Sequence, residues 1–354
     1  MGLHPAVAAC RLAVRREVTN GAPRGQKWRA EASELAPRTV LVACSGGADS
    51  LALLAATVFE TRRTATSVIG AVVDHGLQDG SVDHTARVVA QMAALGVDET
   101  ASIRVDVDAS AGGIEAGARE ARYAALGKLA THFGAALVLL GHTRDDQAET
   151  VLLGLARGSG GRSIAGMRRS FSEDGVHFVR PMLELSREQT EAACRAEDIE
   201  FWIDPHNADP RFLRARVRHD VLPVLERELG PGVAATLART AEQLRPDMEF
   251  LDDFAEDVFD LARGRDASWT HGLGVRVRCD AVEGHGPAIT GRVARLAALE
   301  AGCPPAELFA VHIDAVAELM VGSGRGRQIQ LPGHVTAHRD GADLAFRRTG
   351  SSAG

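Results

Sequence analysis

The chain has 354 residues, 45% hydrophobic and 25% charged, with a formal net charge of −7. That length fits two or three domains with cores of their own, and that composition excludes a disordered or fibrous chain. No run of about 18 apolar residues occurs, which excludes a bilayer-spanning helix, and the N-terminus lacks the apolar centre and cleavage pattern of a secretory leader.

Residues 1–37 read as a helix that passes into a loose Gly/Pro/Arg-rich stretch at Asn20–Gly25, a peripheral lead-in. Strands and helices then alternate. Thr39–Cys44 is a short apolar run and predicts a strand, and Asp49–Glu60 predicts a helix. Ser67–Asp74 is a second strand, Asp83–Leu95 a helix, Ala101–Val107 a third strand and Ile114–Phe133 a long helix. Ala136–Gly141 is a fourth, buried strand, followed by a helix over Asp145–Ala156. Such alternation predicts βαβ units: an α/β fold, a doubly wound parallel sheet with helices on both faces and right-handed crossovers.

The strand pattern fades after about residue 185. Residues 186–265 read as helices, opened by Ser186 as N-cap with Gln189 at the capping-box position, and interrupted by a turn-rich linker, Asp204–Pro210. From about residue 268 strands return at Val275–Cys279 and Arg327–Leu331, with helices at Ile289–Ala301 and Pro305–Val321 between them. His334–His338 and Leu344–Arg348 predict a closing hairpin around Asp340-Gly341. The expected divisions are a lead-in over 1–37, a nucleotide-binding domain over 38–210, a helical region over 211–267 and a small α+β domain over 268–348.

Between the first strand and the first helix stands Ser45-Gly46-Gly47-Ala48-Asp49-Ser50. This arrangement aims several backbone N–H groups, and the positive end of a helix, at one point, where an anion binds well. Glycine lets the backbone approach that anion closely. A Walker A loop carries a lysine for the β- and γ-phosphates. None is present here, so γ-phosphate transfer is disfavoured, and the GxGxxG dinucleotide signature is absent too. A glycine turn with a serine cap is the plainer alternative, but the apolar strand before it and the apolar helix after it argue for a phosphate loop.

Ser45–Ser50 resembles the PP-loop of ATP-pyrophosphatase-type enzymes, which cleave ATP between the α- and β-phosphates and adenylate a carbonyl oxygen. Further stretches follow in order: Val73-Asp74-His75-Gly76-Leu77, Ala118-Arg119-Glu120-Ala121-Arg122-Tyr123, Gly141-His142-Thr143-Arg144-Asp145-Asp146-Gln147-Ala148-Glu149-Thr150, Arg157-Gly158-Ser159-Gly160-Gly161 and Arg180-Pro181-Met182-Leu183. Together, over about residues 39–223, they resemble the tRNA(Ile)-lysidine synthase family. The resemblance implies an ATP-dependent ligase that joins L-lysine to the wobble cytidine of a CAU-anticodon tRNA(Ile). It also implies ATP and Mg²⁺ as cofactors, a cytoplasmic location, no membrane role and an allowed homodimer. On it, Ser45, Gly46, Gly47, Ala48, Asp49 and Ser50 hold ATP phosphates, and the strand end at Val73–His75 contacts adenine.

The acidic residues leave several roles open. Asp49, Asp145, Asp146 and Glu149 make a negative site at the sheet edge beside His142. They suit Mg²⁺ through oxygen ligands, with Asp145 and Asp146 the candidates, or the ammonium groups of lysine, with Glu149 and Asp49 the candidates. One of them would accept the proton of the attacking amine. A dipole cap is the plainer reading of acids at a helix start. Arg119 and Arg122, three residues apart on one helix face, suit the charge that develops during adenylation.

All but two of the 40 basic residues are arginine, with lysine only at Lys27 and Lys128. Residues 157–169 hold four arginines, including Arg157 and Arg162, and no acid. Arg211, Arg214, Arg216 and Arg218 fall in nine residues. Both runs are candidate tRNA phosphate surfaces, with Arg157, Arg162, Arg214, Arg216 and Arg218 the expected contacts; a solvated basic face is the alternative. Cys10, Cys44, Cys194, Cys279 and Cys303 are scattered, form no CxxC, and fit reduced cytosolic thiols. Their spacing disfavours a tRNA thiolase that needs a cysteine cluster. A non-catalytic RNA-binding protein is the rival from another class.

Overall fold

The computed structural model describes residues 2–18, 38–76, 80–106, 114–158, 160–204, 209–263, 274–305, 307–322 and 327–348. The expected loose stretch Asn20–Gly25, and Leu77, Val107, Ser159 and linker residues 205–208, lie outside them. The chain divides into two compact units, 1–242 and 243–354. The expected boundaries at 210/211 and 267/268 lie on either side of that division.

Unit 1 opens with α1 (Pro5–Val18), then β1 (Thr39–Ala43), α2 (Ala48–Thr61), β2 (Ser67–Asp74), α3 (Ser81–Ala94), β3 (Glu99–Arg104), α4 (Ile114–Phe133), β4 (Ala135–Leu140) and α5 (Arg144–Ala156). A short α6 (Gly161–Ile164), β5 (Ser170–Glu173), β6 (Val176–Val179) and α7 (Arg187–Ala196) follow. After that, α8 (Leu213–Arg216) runs through a π turn at Val217–Val221 into α9 (Leu222–Leu229). α10 (Val233–Ala262) contains the unit boundary.

The six strands stand in the order β3-β2-β1-β4-β6-β5. All neighbours are parallel except β5, which pairs antiparallel with β6 at the edge. The fold is thus α/β with a mostly parallel sheet, and the antiparallel edge departs from the expected all-parallel order. That edge hairpin turns on Asp174-Gly175, whose φ values are 49° and 78°. Asp-Gly is the residue pair that two-residue hairpin loops favour.

The central strands are apolar along their whole length because both faces are covered. β1 is buried at four of its five positions. On one face Val40, Val42, Leu53, Leu54, Met92 and Cys194 pack with residues of α1, α2, α3 and α7. On the other, Leu41, Val138 and Phe178 pack with Leu126 and Ala130 of α4. β1 has β2 on one side and β4 on the other, so the chain leaves in opposite directions at their shared end. That is the crevice in which open α/β sheets bind ligands. Gly141 follows β4 there, and a Cβ on it would lie 3.1 Å from the Ser50 backbone. Glycine at this point lets the two loops touch.

Unit 2 carries an antiparallel sheet in the order β7-β10-β9-β8, built from β7 (Arg276–Arg278), β8 (Gln328–Leu331), β9 (Val335–Asp340) and β10 (Asp343–Arg348). α11 (Pro287–Glu300) and α12 (Ala310–Val321) cover it, and Val293, Ala297, Val335 and Phe346 are fully buried between. The β9–β10 hairpin turns near Asp340-Gly341 as expected.

Phe178 is 1% exposed and stacks on Phe171 at 5.0 Å between ring centroids, with Tyr123 edge-on. Phe178→Ala should destabilise unit 1 by about 3–5 kcal/mol, read by denaturant unfolding. A loss under about 1 kcal/mol would show that the edge hairpin does not lock the sheet.

Candidate active site

The phosphate loop is built by a strand that stops and a helix that starts uncapped. β1 ends at Ala43, and the Cys44 N–H still reaches Ala71 across the sheet. Gly46 then takes φ +80°, a left-handed conformation, and a Cβ there would lie 2.6 Å from Val88. Gly47 is the N-cap of α2 and supplies no side-chain cap. The first N–H groups of α2 thus stay directed at the crevice, which is what binds phosphate at a helix N-terminus. Ser50 staples the loop from inside: its hydroxyl donates to the Gly47 carbonyl at 2.9 Å and accepts from the Ser45 N–H at 3.1 Å.

Two cavities flank the loop. One, of about 280 Å³, is lined mainly by Ala43, Ala71, Val72, Val73, His75, Gly76 and Leu126. Its lining is mostly apolar, with Asp74, Arg122 and Asp204 among it, and His75 offers it a buried Nδ1 without a protein partner. Burial and the nearby Arg122 lower the His75 pKa, which keeps the imidazole neutral. The other cavity, about 450 Å³, is lined by Gly47, Ala48, Asp49 and Ser50 of the loop and by His142, Asp146, Arg187, Arg214 and Arg218. Ser45, Arg122 and Trp202 lie on both walls.

The acidic cluster of the second cavity is neutralised by arginine. Glu149 is fully buried, and both its oxygens are taken: Arg214 donates to Oε2 at 2.9 Å, and Arg218 to Oε1 at 2.6 Å and Oε2 at 3.0 Å. It reaches a ligand only if those arginines release it. Asp146 is the N3 residue of α5 and accepts from the Thr143 N–H at 2.8 Å and its hydroxyl at 2.9 Å. Its other oxygen faces Arg187 at 3.2 Å and Arg218 at 3.4 Å. Burial alone would raise the Asp146 pKa; Arg187, His142, Arg214 and the Thr143 N–H outweigh it and hold the carboxyl at about 2.

Asp49 is different. It accepts from the Thr190 hydroxyl and stands 3.5 Å from Arg187. Burial pushes its pKa up to about 6, because Arg187 only partly offsets that cost and Asp146 adds to it. Asp49 is therefore the carboxyl on this wall that exchanges a proton near neutral pH. Burial also lowers His142 well below the ordinary histidine range, and its buried Nδ1 has no protein partner. It stands as a neutral imidazole on the cavity wall.

The structure thus gathers Ser45, Gly47, Ala48, Asp49, Ser50, Arg122, His142 and Asp146 around the charged cavity, and Val73 and His75 around the apolar one. Gly46 shapes the loop from behind. Asp145 lies off both walls and accepts from the Arg187 N–H at 2.8 Å. Arg119 also lies off them, stacked over the Tyr123 ring at 4.9 Å. Arg157 and Arg162 are exposed beyond α5. Arg214 and Arg218, four apart on one helical face, reach inward, whereas Arg216 is exposed and donates to the Pro210 and Arg211 carbonyls.

Sequence reasoning missed Arg187, Thr190 and Trp202. For Arg187 a signal existed. It is the first residue of a helix, where the dipole disfavours a cation unless carboxylates face it. The five cysteines are all free and buried. Among the described residues no three His, Cys, Asp or Glu are grouped to hold a metal ion, and no helix is long and apolar enough to cross a membrane.

A phosphate-binding helix start at a sheet crevice, with a nucleoside-sized cleft beside it, defines a nucleotide-binding α/β protein. The profile of the PP-loop domain matches residues 24–225. A tRNA(Ile)-lysidine synthase of Streptomyces coelicolor is 48% identical, covering 98% of this chain and 100% of that protein. One of Salinispora arenicola is 46% identical, covering 98% and 96%. A solved U34-tRNA thiolase of Methanococcus maripaludis superposes with a TM-score of 0.53 at 16% identity, covering 68% of this chain and 79% of that one, and shares the fold. The chain belongs to the tRNA(Ile)-lysidine synthase family of PP-loop, ATP-binding ligases.

Glu149→Gln should leave Arg214 without its counter-charge and Arg218 with Asp146 alone, and cost about 3–5 kcal/mol of stability by chemical denaturation. A loss below about 1 kcal/mol would mean that solvent, not Glu149, balances these arginines.

Proposed function

We propose that this protein joins L-lysine to C2 of the wobble cytidine of a CAU-anticodon tRNA(Ile), using ATP to activate the base. The observation that carries this reading is the pair of cavities with a common wall at Ser45, Arg122 and Trp202. One is a nucleoside-sized apolar cleft and the other a charged chamber, with the phosphate loop between. The relatives' names add the substrate: the Streptomyces coelicolor and Salinispora arenicola proteins are tRNA(Ile)-lysidine synthases along nearly the whole chain.

In the proposed path the adenosine of ATP occupies the cleft at Val73–His75, and the loop N–H groups hold its phosphates. The C2 oxygen of cytidine attacks the α-phosphorus, the bond to the β-phosphate breaks, and pyrophosphate leaves. The ε-amine of lysine then attacks C2, and AMP departs with the former base oxygen. Arg122, on both walls, faces the charge that builds on the α-phosphate; such preorganised charge is a principal source of rate. Asp49 receives an ammonium of lysine and accepts the proton released as the amine attacks. Glu149 acts one layer behind, by fixing Arg214 and Arg218.

Mg²⁺ binds through one or two carboxylates completed by substrate phosphates; Asp146, ionised on the wall, would hold it through Oδ1 once Arg187 and Arg218 give way, whereas Asp145, off both walls and accepting from the Arg187 N–H, does not fit that role. When bound, Mg²⁺ would supply positive charge to the pyrophosphate. Arg157, Arg162 and Arg216, exposed on the segments that flank the site, are the proposed tRNA phosphate contacts. A cytoplasmic location goes with this activity.

The direct test incubates the protein with Mg²⁺-ATP, isotope-labelled lysine and a CAU-anticodon tRNA transcript, followed by digestion and mass spectrometry. Labelled lysine on the wobble cytidine is expected. AMP release without lysine on the RNA would assign another nucleophile.

Asp49→Ala should abolish AMP formation while tRNA binding stays within about twofold, since RNA affinity comes from phosphate contacts elsewhere. Parallel loss of both would indicate misfolding. Because ionised Asp49 is required and its pKa is raised to about 6, kcat/KM should fall as pH drops below about 6 and level off above it. A raised carboxyl pKa means the native state takes up this proton more readily than the unfolded chain, so Asp49 itself adds stability as pH falls through 6. Activity should therefore be lost before the fold; simultaneous loss of both would contradict the assignment.

A further inference from the structure

Three residues line both cavities, and a reaction that brings ATP, a base and an amine together must take place between those walls. Ser45 and Arg122 suit phosphate. Trp202 is different in kind, an indole at the junction. It is fixed there by the loop itself. Its backbone N–H donates to the Gly46 carbonyl at 2.9 Å. Its ring lies against the His84 ring, with centroids 3.9 Å apart and planes tilted by 41°. His84 Nε2 in turn stands 3.1 Å from the Ser45 carbonyl. A Cβ at Gly46 would lie 3.1 Å from His84, so the glycine also makes room for this stack.

Trp202 is thus half-buried and held, and it is a lining residue of both cavities. Aromatic residues are scarce in this chain, at 4%, and Phe201 beside it lines the charged cavity. Phosphate binding needs no indole, and neither does an ammonium already met by Asp49. A nucleobase does: single-stranded bases are recognised by stacking on aromatic rings. A base that undergoes chemistry must also leave its own stack, and a ring that replaces the lost neighbour offsets that cost.

We infer that Trp202 is the stacking platform for the target cytosine, holding the base between the α-phosphate side and the lysine side of the site. This rests on the proposed function. On this reading Trp202 is a positioning residue for the RNA substrate and makes little difference to ATP. The adenine of ATP is the competing occupant, since the apolar cleft also has Trp202 on its wall.

The test compares wild-type, Trp202→Ala and Trp202→Phe proteins. Loss of one base stack should lower kcat/KM for the CAU tRNA by about 10- to 100-fold in Trp202→Ala. Trp202→Phe should recover most of that, and the Kd for ATP, by equilibrium dialysis, should stay within about twofold in both. A matching loss of ATP affinity would assign the ring to adenine and overturn the inference. Unchanged kcat/KM for tRNA would overturn it as well, with the lysine-ligase reading intact as long as the wild type labels cytidine. A wild type that makes no labelled cytidine would overturn both. A second measurement does not depend on the variants folding. In a Trp28→Phe/Trp269→Phe protein, where Trp202 is the remaining tryptophan, a CAU anticodon stem-loop should quench its fluorescence. A stem-loop abasic at the wobble position should not, and equal quenching by the two would contradict the stack.

Discussion

The site depends on arginine neutralising buried and half-buried acid. Asp49 arrives from α2 and Asp146 from α5, both on the wall of a cavity where a polyanionic nucleotide must also bind, and Glu149 of α5 lies buried behind them. Unpaired, these carboxylates would repel ATP and bear the cost of burial. Arg187, Arg214 and Arg218 supply the opposite charge, and each meets at least two of the acid groups or their helix. The result is graded. Glu149 is closed, Asp146 is held ionised, and Asp49 is the least committed. We therefore propose Asp49 as the group that an incoming ammonium or proton meets first.

The fold sets the distances in that arrangement. β1 and β4 are neighbours, and the loops that follow them meet where Gly141 touches Ser50. That contact puts the phosphate loop next to the acidic helix start of α5. α7 then closes the site from the side, with its Arg187 facing the carboxylates and its Cys194 thiol donating to the Ala48 carbonyl at 3.4 Å. The loop that follows α7 brings Trp202 back onto Gly46. The same glycine loop thus holds the phosphate donors on one side and seats the indole on the other.

Much of this was legible in the sequence. Ser67–Asp74 and Ile114–Phe133 form as expected to the residue, because an apolar strand run and a long helical pattern are strong local signals. The phosphate loop was legible because glycine, serine and a helix start have one common physical use. The β5–β6 hairpin was not seen, although Asp174-Gly175 marks its turn, because its strands are only four residues each and follow a long parallel pattern. The partners of Arg214 and Arg218 were not legible either. A basic run reads the same whether it faces solvent or acid, and Glu149 stands 65 residues from Arg214. Trp202 carries no local signal at all; its role comes from where a loop lands.

The central claim is that the loop serves adenylation of the RNA base, with lysine entering as the second nucleophile. The most direct measurement omits lysine. Protein, Mg²⁺-ATP labelled at the α-phosphate and CAU-anticodon tRNA are mixed, and the label is followed. The account predicts pyrophosphate release with label carried on the tRNA, and conversion to AMP and lysine-bearing tRNA when lysine is added. Label that stays off the RNA until lysine is present, and then appears on the amino acid, would contradict it.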